Sequence, residues 1–106
     1  MTSSTMWSVY VVRCRDDSLY VGITNDLARR LAAHNAGRGG SYTRSRRPVA
    51  LAFVRKVRSE TTARRLEIAL KRLDRARRLR LVAGDVAVLR KALRHVQQMA
   101  SKSRRE

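Results

Sequence analysis

Two short runs of β-branched and aromatic residues sit only a few residues apart near the start of the chain. The first, Trp-Ser-Val-Tyr-Val-Val-Arg-Cys from Trp7 to Cys14, has the composition of a strand. Asp16-Asp17-Ser18 supplies turn chemistry, and Leu19 to Ile23 reads as a second strand. A connection this short does not admit a parallel crossover, so the two strands must form an antiparallel hairpin. Side chains alternate along a strand, so Tyr10 shares a face with Ser8 and Val12, and Tyr20 shares one with Gly22. A register that brings the tyrosines roughly opposite puts both on one side of the hairpin. Gly22 leaves room there for backbone or substrate to approach.

Thr24-Asn25-Asp26 is a cluster of helix-capping residues, and Leu27 opens a helix expected to run to about Ala36. Gly37-Arg38-Gly39-Gly40 ends it and begins a basic loop from Ser41 to Pro48. A third strand is expected over Ala50 to Val57, with Leu51 and Phe53 alternating on one face. Ser59 can cap the next helix, with Glu60 in its first turn. Along one side of that helix fall Ala63, Leu66, Glu67, Leu70 and Leu73. A basic helical segment, Arg75 to Ala83, stops at Gly84, where Asp85 is placed to cap a last helix from Val86 to about Met99. Its apolar stripe, Leu89, Leu93 and Val96, suits either the chain's own core or a dimer contact, the former being the default. The expected organisation is an α/β (α+β) domain over residues 6–83, a C-terminal helix over 84–100 packed on it, and a frayed basic tail, 101–106.

At 106 residues the chain suits one core. Lys and Arg number 25 against eight carboxylates, a formal charge of +17 that draws polyanions from solution. Nucleic acid is therefore the leading partner, ahead of an anionic membrane surface, because no long apolar helix with basic flanks stands out. Cys14 is the single cysteine, which rules out an intrachain disulfide and a multi-cysteine zinc site. There is no secretory h-region and no run of about 20 apolar residues, so a soluble cytoplasmic protein is expected, a monomer by default with a dimer as the alternative.

Chemistry-bearing residues stand out against this frame. Arg30 and His34 fall on the same side of the first helix as Leu27 and Leu31, so Arg30 must either snorkel outward or reach into a cleft. His34, near the helix C-terminus, could equally be a dipole partner or a hydrogen-bonded residue at the core edge. Glu67 points inward from a helix whose neighbouring positions, Arg64, Arg65, Lys71 and Arg72, are cationic. It can hold Mg²⁺, an ion often bound by one or two carboxylates plus substrate phosphate, or it can form an ion pair. Tyrosines in strands usually pack. As a base, a phenol with pKa near ~10 needs a cation to stabilise its phenolate.

In combination these residues resemble the GIY-YIG nuclease superfamily, more narrowly its small single-domain bacterial members. Ser8-Val9-Tyr10 matches the GIY element and Tyr20-Val21-Gly22-Ile23-Thr24 the YIG element with its following hydroxyl residue. Asp26 to Leu31, through His34-Asn35, resembles the family's arginine-bearing helix. Gly39-Gly40-Ser41-Tyr42-Thr43-Arg44, followed by Arg47-Pro48, matches a loop of the small subgroup, and Ala63 through Glu67 to Lys71 resembles the metal motif. The first glycine of GIY is Ser8, the isoleucines are Val9 and Val21, and no asparagine follows Asn35.

The resemblance implies a compact domain with a three-stranded antiparallel sheet flanked by helices. It implies that Tyr10 acts as general base or orients it, and that Tyr20 bonds the nucleophile or scissile phosphate. Arg30 would neutralise transition-state charge. Glu67 would hold one Mg²⁺ or Mn²⁺ near the leaving oxygen, while His34 assists proton transfer or positions phosphate. Thr24, Arg29, Tyr42, Thr43, Arg44, Arg46, Arg47 and Lys71 would contact nucleic acid. The expected activity is metal-dependent endonucleolytic hydrolysis of DNA with little sequence specificity, in DNA repair or processing. The alternative is a binding module that uses the same basic surface without useful turnover. An unpaired base stacked on Tyr42 would favour single strands.

Overall fold

The computed structural model describes residues 6–105, with side chains through residue 100. Strand β1 (Trp7–Arg13) lies at the centre of a three-stranded sheet of order β2-β1-β3, between β2 (Leu19–Thr24) and β3 (Ala50–Val57). Both pairings are antiparallel. The central position explains the unbroken apolar run of β1: Val9, Val11 and Val12 have no exposed surface and Tyr10 almost none. One sheet face, with Val9, Val11, Leu19 and Val21, packs against Ala63, Leu66 and Leu70 of α3 (Glu60–Lys71). On the other, Tyr10 and Val12 meet Leu27 and Leu31 of α1 (Leu27–Asn35), with Val49 completing this smaller cluster.

The β1–β2 register pairs Tyr10 with Gly22 and Val12 with Tyr20. Directly paired residues project to the same face, so both tyrosines point towards α1, as the hairpin predicts. The β1–β3 ladder departs from expectation. Val11 pairs with Phe53 but Val12 pairs with Leu51, so Ala52 is an extra residue in a bulge. The bulge sends Leu51 and Phe53 to opposite faces: Phe53 packs on the main core, and Leu51 remains 42% exposed. Simple alternation had placed them together.

The caps follow the sequence closely. Asp26 accepts from the Arg29 amide at 3.2 Å, Ser59 from Thr62 at 3.1 Å and Asp85 from Ala87 at 3.0 Å. Leu73 and Asp74, however, do not extend α3. That helix closes at Arg72, and Asp74 caps α4 (Arg75–Val82), accepting from the Arg77 amide at 2.9 Å. The segment expected as a plain basic loop contains a single helical turn, α2 (Ser41–Arg44). Its Tyr42 carbonyl accepts from the Arg46 guanidinium at 2.8 Å. The last helix, α5, runs from Val86 to Arg105, past the expected end, with no Gly or Pro after Gly84 to stop it. Its most buried residues, Val88, Ala92 and Val96, join the main core, and Leu89 and Leu93 flank them. The chain's own core is thus the surface α5 covers. The side chains of 101–106 lie outside the described residues.

Candidate active site

Four of the five residues expected to carry chemistry converge on the α1 face of the sheet. Tyr10 reaches across β2, where Gly22 gives its ring space: a Cβ at 22 would stand 2.5 Å from the Tyr10 hydroxyl. The hydroxyl lies 2.9 Å from Nε2 of His34, which is completely buried. Arg30 does not snorkel away. Its Nε donates to the Tyr10 oxygen at 3.4 Å and its Nη2 to the Gly39 carbonyl at 3.0 Å. Tyr20 meets the imidazole edge-on, ring centroids 5.7 Å apart.

Gly39 has a structural task invisible in the sequence. A Cβ there would overlap the His34 imidazole, so the loop closes over the histidine only because residue 39 is glycine. The α2 turn then brings Thr43 Oγ1 to 2.8 Å from His34 Nδ1. Thr43 was expected to touch nucleic acid. It has no exposed surface, so its hydroxyl orients the histidine instead.

Burial pushes the Tyr10 phenol above its usual range, against the opposing influence of Arg30's hydrogen bond and charge. Burial, then the Arg30 charge, holds the His34 imidazole below its usual range. At neutral pH both side chains are therefore uncharged. The cation expected to favour a Tyr10 phenolate is present but is outweighed by desolvation.

Around this centre the surface is basic but structured. The Tyr42 ring stacks on Tyr20 with centroids 5.6 Å apart, and the Arg46 guanidinium lies over the Tyr42 ring at 3.9 Å from its centroid. Arg46 is in turn held by Asp16 of the β1–β2 turn at 3.1 Å. A nucleobase stacking on Tyr42 would compete with these contacts. Hydrogen bonds from Ser18 hold the Asp16 carboxyl below its usual range, ahead of any effect of Arg46. From the sequence Asp16 reads only as a turn residue, because nothing local ties it to Arg46 so far along the chain.

Thr24 and Arg29 line one cavity with Arg30, of about 320 Å³. Arg44 and Arg47 line another, of about 450 Å³, with Arg15, which sequence reasoning did not single out. Asn35 is occupied structurally, binding the Val49 amide at 2.7 Å and its carbonyl at 3.1 Å.

Glu67 approaches from α3, close enough for its charge to oppose ionisation of Tyr10. Its side chain is 19% exposed and pairs with Lys71 at 3.2 Å, so Lys71, expected to contact nucleic acid, rests on the carboxylate. Among the described residues no cluster of three or more His, Cys, Asp or Glu side chains could hold a metal by itself. A single carboxylate nonetheless fits a hard cation that keeps its waters and takes remaining oxygens from substrate phosphate.

A central antiparallel sheet carrying two tyrosines beside a helical arginine and histidine defines a family. Residues 6–80 match the GIY-YIG catalytic domain, and the chain belongs to that family. Its relatives are small proteins. It is 42% identical over 74 residues to UPF0213 protein SH2523 of Staphylococcus haemolyticus, covering 70% of this chain and 90% of that one. To UPF0213 protein XAC3202 of Xanthomonas axonopodis it is 48% identical over 73 residues, 69% and 72% of the two chains. The solution structure of UPF0213 protein BH0048 from Bacillus halodurans is 37% identical, with a TM-score of 0.49 over 74% of this chain and 83% of that one. Among the described residues no helix is long and apolar enough to cross a membrane.

Proposed function

We propose that the protein is a divalent-metal-dependent endonuclease that hydrolyses phosphodiester bonds in DNA with low sequence specificity, acting in the cytoplasm in repair or processing. The observation that carries this reading is the linked set Arg30–Tyr10–His34–Thr43, with Tyr20 and Glu67 at its margin.

The hydrogen-bond chain supports a proton relay in one His34 tautomer. Arg30 can only donate, so the Tyr10 oxygen accepts from it, and in the tautomer this reading requires the phenolic proton points to His34 Nε2. In that tautomer the neutral imidazole carries its own proton on Nδ1, facing the Thr43 hydroxyl. As an attacking water gives its proton to the Tyr10 oxygen, Tyr10 passes the original phenolic proton to Nε2. No free phenolate is needed, which suits a phenol that burial keeps protonated. Arg30 offsets negative charge developing on the phosphoryl oxygens, a stabilisation worth about 3 kcal/mol in comparable sites. Tyr20, with Tyr42 stacked behind it, bonds the phosphate. Mg²⁺ or Mn²⁺ on Glu67 would supply Lewis-acid stabilisation of the leaving oxygen.

Thr24, Arg29, Arg44, Arg46 and Arg47 track the backbone, and sparse base-reading groups leave specificity low. The test is cleavage of matched single-stranded, duplex and branched DNA with Mg²⁺ or Mn²⁺, comparing wild type with Glu67→Ala. The expected result is metal-dependent nicking that vanishes in the variant while binding persists. Tight, salt-sensitive binding with no cleavage by wild type would leave a binding module in its place.

A further inference from the structure

The catalytic tyrosines and α1 occupy one face of the sheet; the α3–α4–α5 layer covers the other. That second layer contains a cavity of about 390 Å³ lined by Arg72, Arg77, Arg80, Lys91 and His95. Only one carboxylate, Asp85, shares the lining, and its Oδ1 is engaged by the Ala87 amide. Elsewhere this basic chain pairs several cations with its few carboxylates: Arg13 with Asp17, Arg46 with Asp16, Arg64 with Glu60 and Lys71 with Glu67. In the cavity Arg77 has Asp74, but among the described residues Arg72, Arg80 and Lys91 have no carboxylate within ion-pair distance. Cations gathered about one concavity repel one another, and a bound anion relieves that repulsion.

We propose that this cavity binds the phosphate of a nucleotide, at a site separate from the catalytic face and independent of cleavage. Planar guanidinium groups such as those of Arg72 and Arg80 suit bidentate phosphate recognition. The floor identifies more than a bare phosphate. Ala69, Val88 and Ala92 are buried and with Leu73 form the apolar part of the lining, where the two alanines leave room for a flat ring. An apolar floor beneath a cationic rim is complementary to a base joined to a phosphate. The nucleotide is either free or one unit of a strand, and a chain that holds nucleic acid on both faces would engage two segments at once.

The test uses the full chain and three probes at fixed ionic strength: inorganic phosphate, adenosine monophosphate and a short single-stranded oligonucleotide. The variant is Arg72→Gln with Arg80→Gln, both exposed positions. Arg55→Gln with Lys56→Gln on the edge strand removes the same charge elsewhere, and Arg30→Gln reports the catalytic face. The expected result is saturable adenosine monophosphate binding, tighter than phosphate, weakened tenfold or more by the Arg72/Arg80 pair and unchanged by the other two variants. If only the oligonucleotide shows this selective loss, the nucleotide belongs to a strand; if only the mononucleotide does, it is free. Equal losses from both charge-matched pairs, loss confined to Arg30→Gln, or no selective loss for any probe would overturn the site.

Discussion

Tyr10 stands directly across the β1–β2 ladder from Gly22, and its ring occupies the space that a side chain at position 22 would fill. That relationship lets the hydroxyl lean over β2 and reach His34. Replacing Gly22 by Ala should therefore displace the phenol, since a Cβ would approach the Tyr10 Cζ to 2.6 Å. The expected cost is about 1–3 kcal/mol of stability, with a larger proportional loss of cleavage. Gly22→Ala with full activity and an unshifted melting temperature would show that Tyr10 does not need this seat.

His34 makes stability depend on pH in a defined direction. Its folded-state pKa lies below the ordinary 6.5, so between those two values the unfolded chain binds more protons. Stability should be fully present above about 6.5 and fall as pH drops through that window. Melting curves for wild type and His34→Gln measure this, and the variant should lose most of the slope. Tyr10 acts at the opposite end: its raised pKa predicts stability lost as pH climbs beyond 10.0, where the unfolded phenol ionises first. Tyr10→Phe should remove that alkaline loss.

Asp16, Arg46, Tyr42 and Tyr20 make successive contacts from the hairpin turn to the sheet face that carries Tyr10. Asp16→Asn should loosen Arg46 and with it the Tyr42 ring, lowering the cleavage rate by less than about fivefold, the scale of a surface ion pair. Asp17→Asn removes the same charge without touching Arg46 and should leave the rate unchanged. Equal effects from both substitutions would reduce this chain of contacts to a matter of net charge.

Lys71 competes for the carboxylate proposed to hold the metal. Lys71→Met should free Glu67 and lower the Mg²⁺ concentration giving half-maximal nicking, by up to about fivefold. If Lys71 instead serves chiefly to hold DNA, the variant will show a raised KM and an unchanged metal requirement. A titration at saturating substrate separates the two.

The helix starts and the hairpin were legible because their causes are local. Asp26, Ser59 and Asp85 cap the helices they precede, and β1 runs apolar from Val9 to Val12 because a central strand is buried on both faces. The side of the sheet that carries Tyr10 and Tyr20 also followed from alternation once the strands paired. The family motifs likewise marked Arg30, His34 and Glu67 along the chain itself.

Tertiary structure decided how those marked residues act. The bulge at Ala52 separated Leu51 from Phe53 because register is settled between strands, not within one. Thr43 turned inward to His34, and Asp16 found Arg46 across the fold, because each contact depends on two segments packing together. The protonation of Tyr10 was decided the same way: its surroundings hold both a cation and a desolvating core, and the buried geometry made desolvation the larger effect. Sequence by itself determined the elements and the residue types at the centre; packing determined which of their charges, protons and faces remain available.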